Sequence, residues 1–229
     1  MSEEMAIESL AVEWLAARLN TETKHTRFKL YAANRGYSDI DAMVSSSNEG
    51  ILAIAECKVQ GSATAVFPYS ANNSILDDES YCSSMLQKAR TLFLTKNKWV
   101  SESFQMGPAK SAWNKLRTLE IWLIGNIFVA PDQQKEVDEK LTGEITSAGI
   151  KGLPPNVEVN AFIRSTIQII LEMYRIVEKW ILEDSWGPRF GHAQLDLLRE
   201  IVRYKNASGA KHCRDHYRKE MKKILTAKN

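Results

Sequence analysis

GYSDIDAMVSSSNEGILAIAECKVQ, residues Gly36 to Gln60, reads as two strands joined by a tight turn. The second strand is apolar from Ile51 to Val59 apart from Glu56 and Lys58. Such near-continuous apolarity marks a strand buried on both faces. The first strand carries Asp39 and Asp41. A carboxylate or an ammonium in a buried strand is costly unless something compensates it. The usual compensation is a metal site or a catalytic centre.

The turn sets the geometry. Ser, Asn and Gly between the strands are turn chemistry, and a four-residue loop, Ser47 to Gly50, is a common hairpin length. Ser46 then pairs with Ile51, which sets Asp41 opposite Glu56 and Asp39 opposite Lys58. Alternation puts Glu56 and Lys58 on one face, about 6–7 Å apart, with Cys57 on the other. On the first strand it puts Asp39 and Asp41 together, with Ile40, Ala42 and Val44 on the opposite face. Cross-strand neighbours have Cβ atoms about 4.5–5.5 Å apart. Two carboxylates that close repel each other unless a cation lies between them. Oxygen ligands favour a hard cation such as Mg²⁺ or Mn²⁺.

An aspartate near the end of one strand, a short turn and Glu-x-Lys on the next strand resemble the PD-(D/E)XK nucleases, the restriction-endonuclease-like superfamily. The matching residues are Asp41, Glu56 and Lys58, with Cys57 as the variable middle residue. Ser38, not Pro, precedes Asp39, so the family's proline–aspartate pair is not intact. Position along the strand favours Asp41 as the ligand, with Asp39 the second choice. Upstream, Met5 to Leu19 carries apolar side chains at Ile7, Leu10, Ala11, Trp14, Leu15 and Leu19, an amphipathic helix. Many superfamily members place a glutamate of the first helix at the metal site. Glu8 and Glu13 are the options, and Glu8-x-x-Ala11-x-x-Trp14-Leu15 resembles the start of Holliday-junction-resolvase-like members, which favours Glu8.

The resemblance implies an α/β protein with a restriction-endonuclease-like core (helix, three-strand meander, helix, strand) and a helical C-terminal extension. It implies that Asp41 and Glu56 bind Mg²⁺ or Mn²⁺, that the Cys57 carbonyl adds a ligand, and that Lys58 orients the attacking water and stabilises charge on the phosphorane. Gln60 shares the face of Lys58 but reads first as a polar residue at a strand end. The implied activity is a Mg²⁺-dependent endonuclease acting on DNA, in restriction, phage defence or repair. The alternative is a nucleic-acid-binding or assembly subunit that keeps the fold without cutting. A resolvase-like enzyme would need a homodimer, because it makes two cuts, and RNA is a further substrate to test. No nucleotide-binding loop is present, so ATP hydrolysis, like sequence specificity, would come from a partner protein.

The 229 residues and 44% hydrophobic content suffice for one well-packed domain with a small appended one. The net charge is only +2, but nine Lys or Arg against Asp215 and Glu220 lie between Arg203 and Asn229, so the remainder is acidic. A basic terminal helix beside an acidic body suits DNA. Cys57, Cys82 and Cys213 form no disulfide framework, the N-terminus lacks a signal-peptide pattern and no apolar run is long enough for a membrane. A cytoplasmic protein is expected.

Lys24 to Ala32 reads as the first strand, Tyr81 to Lys96 as a helix and Leu119 to Val129 as a buried strand. Between them, Gly61 to Glu79 is a long polar segment that reads equally as a substrate-facing lid or as disorder. Gln133 to Leu141 reads as a short helix and Gly143 to Asn156 as a linker, placing the nuclease-like core at residues 1–142. Residues 157–229 read as a helical region, DNA-binding or dimerising, beginning with a long helix from Asn160 to Glu183. His212 and His216 share a helical face but lack further ligands nearby, and His192 reads as a capping or phosphate-contact residue.

Overall fold

The computed structural model describes residues 3–32, 36–58, 73–76, 82–94, 115–125 and 129–182. Helix α1 (Glu3–Arg18) precedes three strands, β1 (Lys24–Ala32), β2 (Gly36–Ser46) and β3 (Ile51–Lys58). Helix α2 (Cys82–Leu94) then leads to β4 (Thr118–Gly125), α3 (Gln134–Ala148) to β5 (Glu158–Ser165), and α4 (Thr166–Leu182) follows. The sheet order is β1-β2-β3-β4-β5. It is antiparallel from β1 to β3 and parallel from β3 to β5. The chain is therefore an α/β protein with a mixed sheet. Among the described residues no helix is long and apolar enough to cross a membrane.

β3 lies between β2 and β4, and every residue from Leu52 to Cys57 is buried. Ala53, Ala55 and Cys57 face the α1 and α4 side, where Leu10, Trp14, Leu15, Ile169 and Met173 pack. Leu52 and Ile54 face α2 and α3, where Met85, Leu92, Phe93, Leu141 and Ile145 pack. Each large apolar side chain so buried contributes about 1.5–3 kcal/mol. Helices thus cover both faces of the central strands, and an ionised group there has little access to water.

The hairpin has the register expected from its turn, with Ser46 opposite Ile51 and Ala42 opposite Ala55. Gly50 closes the turn with φ +70°, and its N–H donates to the Ser46 carbonyl at 2.9 Å. A Cβ there would lie 2.5 Å from the Lys115 carbonyl oxygen, so no larger residue fits the unmoved backbone.

Two expectations for the second half are corrected. The helix beginning at Gln134 runs to Ala148, through the proposed linker start at Gly143, because Val137, Leu141 and Ile145 form a continuous buried stripe. Gly143 lies on the exposed face with nothing near the place of a Cβ. Gly143→Ala is accordingly expected to raise stability by up to about 1 kcal/mol, measurable by urea denaturation. A destabilised variant would show that the glycine has a role beyond helix propensity.

The second correction concerns Asn160 to Ser165, which is strand, not the start of a helix. β5 pairs with β4 from Thr118–Glu158 to Gly125–Ser165, so the helical reading of the region from residue 157 fails over Glu158–Ser165. Helix α4 starts at Thr166 by a capping box. The Gln168 N–H donates to Ser165 Oγ at 3.2 Å, and the Ser165 N–H donates to Gln168 Oε1 at 2.7 Å.

Of the long segment after β3, residues 73–76 are described, and Glu144 of α3 holds them. Its Oε2 accepts from Ser74 Oγ, the Ile75 N–H and the Leu76 N–H at 2.8, 2.8 and 3.0 Å. Gln60, most of the 61–79 segment, His192, His212, Cys213, His216 and the basic segment from Arg203 lie outside the described residues.

Candidate active site

The described β2–β3 ladder ends at Ala42–Ala55, and beyond it a side chain takes the place of backbone. Asp41 Oδ2 accepts the Cys57 N–H at 2.6 Å. The carboxylate is thereby set against β3 beside Glu56. A kink in the neighbouring strand accompanies this departure. β1–β2 pairing skips Arg27 and Asp41 between the rungs Thr26–Ala42 and Phe28–Ile40, and Arg27 has φ +50°. Few non-glycine residues adopt that conformation, and it interrupts a strand locally. The interruption shifts the phase of β2. Ile40 packs with Leu30, Ile54 and Met85, whereas Ala42 and Val44 pack on the other face. This corrects the shared face expected for Ile40, Ala42 and Val44. The expected opposition of Asp39 and Lys58 is not a rung of the described ladder, and Asp39 pairs across to Lys29 on β1.

Glu56 is 1% exposed and points toward α2. Its Oε1 lies 2.7 Å from Lys58 Nζ and accepts from Ser84 Oγ at 3.3 Å. Its Oε2 accepts from Lys88 Nζ. The same Lys88 nitrogen stands 3.6 Å from Asp41 Oδ1, so one ammonium serves both carboxylates. A small pocket between β2, β3 and α2 opens beside them, lined by Ile40, Ile54, Ala55, Glu56, Met85 and Lys88. On the far side of β3, Gly125 of β4 stands level with Lys58. A Cβ at Gly125 would lie 2.2 Å from the Lys58 carbonyl oxygen, and its absence lets the two strand ends approach.

Glu8 of α1 is buried and holds Arg27 at the kink through two bonds, 2.6 and 3.0 Å long. Its charge acts on both Asp41 and Cys57. Glu13 faces elsewhere and holds Lys24, with both oxygens at 2.6 Å. The Cys57 thiol belongs to the apolar cluster under α1. Burial pushes its pKa up, as do Asp41, Glu56 and Glu8, so the sulfur stays a neutral thiol.

Burial also raises the pKa of Asp41, to about 7, and the neighbouring Glu56 adds to the rise. Lys88 and the Cys57 N–H oppose it, while Glu8 reinforces it. The consequence for stability has a definite sign. The unfolded chain releases this proton near pH 3.8, whereas the folded chain holds it to about 7. The contribution of Asp41 to stability is therefore present below the unfolded value and lost as pH rises through the folded one. In EDTA, stability is expected to fall between pH 5 and 7, with a contribution from this group of up to about 1.4 kcal/mol per pH unit. Urea denaturation across that range checks this, and Asp41→Asn is expected to flatten the profile. An unchanged slope in the variant would assign the dependence to another group.

Three members of the cluster escaped the sequence reading: Lys88, Ser84 and Arg27. Lys88 had a readable signal. The buried stripe of α2 includes Met85, Ala89 and Leu92, and position 88 lies on the same side of the helix. A lysine there is a charge on an inward face. Ser84 and Arg27 carry no comparable mark.

Among the described residues no three His, Cys, Asp or Glu side chains come together as a metal-ligand group. Asp41 and Glu56 are nevertheless two carboxylates converging on one positive charge. Mg²⁺ commonly binds through one or two carboxylates, with water and substrate oxygens completing its shell. By donor type and charge the pair fits such an ion. No family model, curated protein or solved structure matches this chain.

Proposed function

We propose that the protein is a metal-dependent nuclease that hydrolyses DNA phosphodiester bonds on a restriction-endonuclease-like core. One observation carries the reading. Asp41, Glu56 and Lys58, the residues of the motif, meet at the end of a strand that is otherwise wholly apolar. So costly a grouping of buried charge is what catalytic sites retain. The antiparallel β1–β2–β3 meander between α1 and α2, followed by β4, gives the order of elements that this core requires.

In this reading Asp41, Glu56 and the Cys57 carbonyl would hold Mg²⁺ or Mn²⁺. The bound ion supplies Lewis-acid polarisation of the phosphate and a water of lowered pKa. The chain's own groups do the rest. Lys58, one-third exposed and held by Glu56, presents N–H donors to the phosphoryl oxygens as negative charge grows on them. The Cys57 N–H fixes the Asp41 carboxylate in place. Glu8 adds negative potential at Asp41 and holds Arg27 at the strand kink.

A second reading has its own support. Lys88 already compensates both carboxylates, which suits a subunit that binds nucleic acid or assembles without cutting. Incubation of the purified protein with plasmid, linear and branched DNA, in Mg²⁺ or Mn²⁺, separates the two. Cleavage of any of them supports the nuclease, and the substrate chosen distinguishes restriction-like from resolvase-like action. Binding without cleavage on all three, and on RNA, would transfer the assignment to the non-cutting subunit.

A further inference from the structure

We infer that Lys88 is a built-in counter-cation for the Asp41–Glu56 pair, in competition with the divalent ion. The inference rests on the proposed reading of that pair as a cation site. Lys88 Nζ bonds Glu56 Oε2 and stands 3.6 Å from Asp41 Oδ1. The Lys88 side chain is 15% exposed, so this contact is largely shielded from water. Both carboxylates point to the same place, and an ammonium and a divalent ion seek that same place while repelling each other. They cannot both occupy it. A small pocket beside Glu56 is lined by Ile40, Ile54 and Met85 together with Lys88, apolar surface of the kind a lysine stem packs against. Lys58 plays a different part, since it approaches Glu56 through Oε1 and is one-third exposed, where a phosphate would arrive.

Lys88 therefore keeps two buried carboxylates tolerable before the ion binds, and it lowers the ion's affinity because it must be displaced. Metal affinity becomes a property set by α2 as well as by the two acidic residues.

Titration calorimetry with Mn²⁺ alone tests this on the full chain. Lys88→Met removes the charge and keeps the length of the stem. It is expected to bind Mn²⁺ about tenfold more tightly or better, as when a competent arrangement populated about a tenth of the time becomes dominant. Lys88→Arg, which keeps the charge, is expected to bind no more tightly than the wild type. Equal affinity in Lys88→Met and the wild type overturns the inference.

Lys88→Met leaves Glu56 with Lys58 and Ser84 and Asp41 with the Cys57 N–H, one ammonium fewer for the two carboxylates, so its folding in EDTA is at risk, and a second measurement uses no variant. Reductive methylation of the wild type, read by peptide mass, is expected to label Lys88 several-fold faster in saturating Mn²⁺ than in EDTA. Unchanged labelling also overturns the inference. Failure here is distinguishable from failure of the nuclease reading. Tighter Mn²⁺ binding by Lys88→Met, with no DNA cleavage by the wild type, supports the competition and removes the nuclease. Cleavage by the wild type with unchanged Mn²⁺ affinity in the variant does the reverse. Absence of Mn²⁺ binding in all three proteins overturns both.

Discussion

Lys58→Ala is expected to slow DNA cleavage by about 10²–10³-fold, the usual loss when one donor to a developing oxyanion is removed. The fold should survive it. Lys58 stands at the end of β3 with a side chain 33% exposed, and Glu56 keeps Lys88 and Ser84 as partners when it is gone. The stability cost is expected to stay below about 1 kcal/mol, as for other partly exposed ion pairs. Single-turnover cleavage and thermal melting, run side by side, separate the two effects. Lys58→Arg should recover only part of the rate, because a planar guanidinium cannot replace a compact ammonium at the same point. If Lys58→Ala cut within a few-fold of the wild type, Lys58 would have no part in the chemistry and the motif would be structural.

Arg18→Ala is expected to do the opposite, harming the fold and sparing the chemistry. Arg18 bonds Glu120 in a two-point contact, 2.5 and 3.0 Å long, and Glu120 is a carboxylate within β4 whose side chain is only 7% exposed. Trp122 Nε1 donates to the same carboxylate at 3.1 Å. The guanidinium also lies 5.0 Å above the Trp122 ring, which meets Trp14 edge-on and stacks on Phe162. Removing Arg18 leaves a buried charge with one neutral donor. The expected cost is about 3 kcal/mol, the lower end for a broken buried pair because Arg18 is itself one-third exposed. Urea denaturation measures it. Arg18→Met combined with Glu120→Leu should recover most of the loss, since replacing both charges by apolar groups is often close to neutral. A cost under about 1 kcal/mol for Arg18→Ala would mean that Glu120 finds other compensation, and the buried-charge account of this cluster would be wrong.

The hairpin was legible because its determinants are local. Turn chemistry between Ser47 and Gly50 set the register, and the apolar run of β3 marked Glu56 and Lys58 as out of place. The apolar spacing of α1 showed its buried face, and Ile7, Leu10, Trp14 and Leu15 are all fully buried. The second half was harder to read. Ile163 fits both a strand alternating through Val159 and Ala161 and a helix continuing to Ile167 and Ile170, so period alone could not separate them. Ser165 and Gln168 held the missing boundary in plain sight, as a capping box. Gly143 misled in the other direction, because a single exposed glycine costs a helix less than three buried apolar residues return to it.

By itself, then, the sequence determined the α/β class, the register of the hairpin and the presence of uncompensated charge in a buried strand. Each follows from chemistry within a few residues of chain. Beyond Lys58, two residues along the same strand, what compensates that charge was decided by tertiary structure. Lys88 reaches Glu56 from 32 residues away, and Asp41 takes an N–H 16 residues away at the point where the β1–β2 ladder skips the Arg27–Asp41 rung. A helix periodicity says which way a lysine faces, and it cannot say which carboxylate waits there, because that depends on where the sheet places its partner.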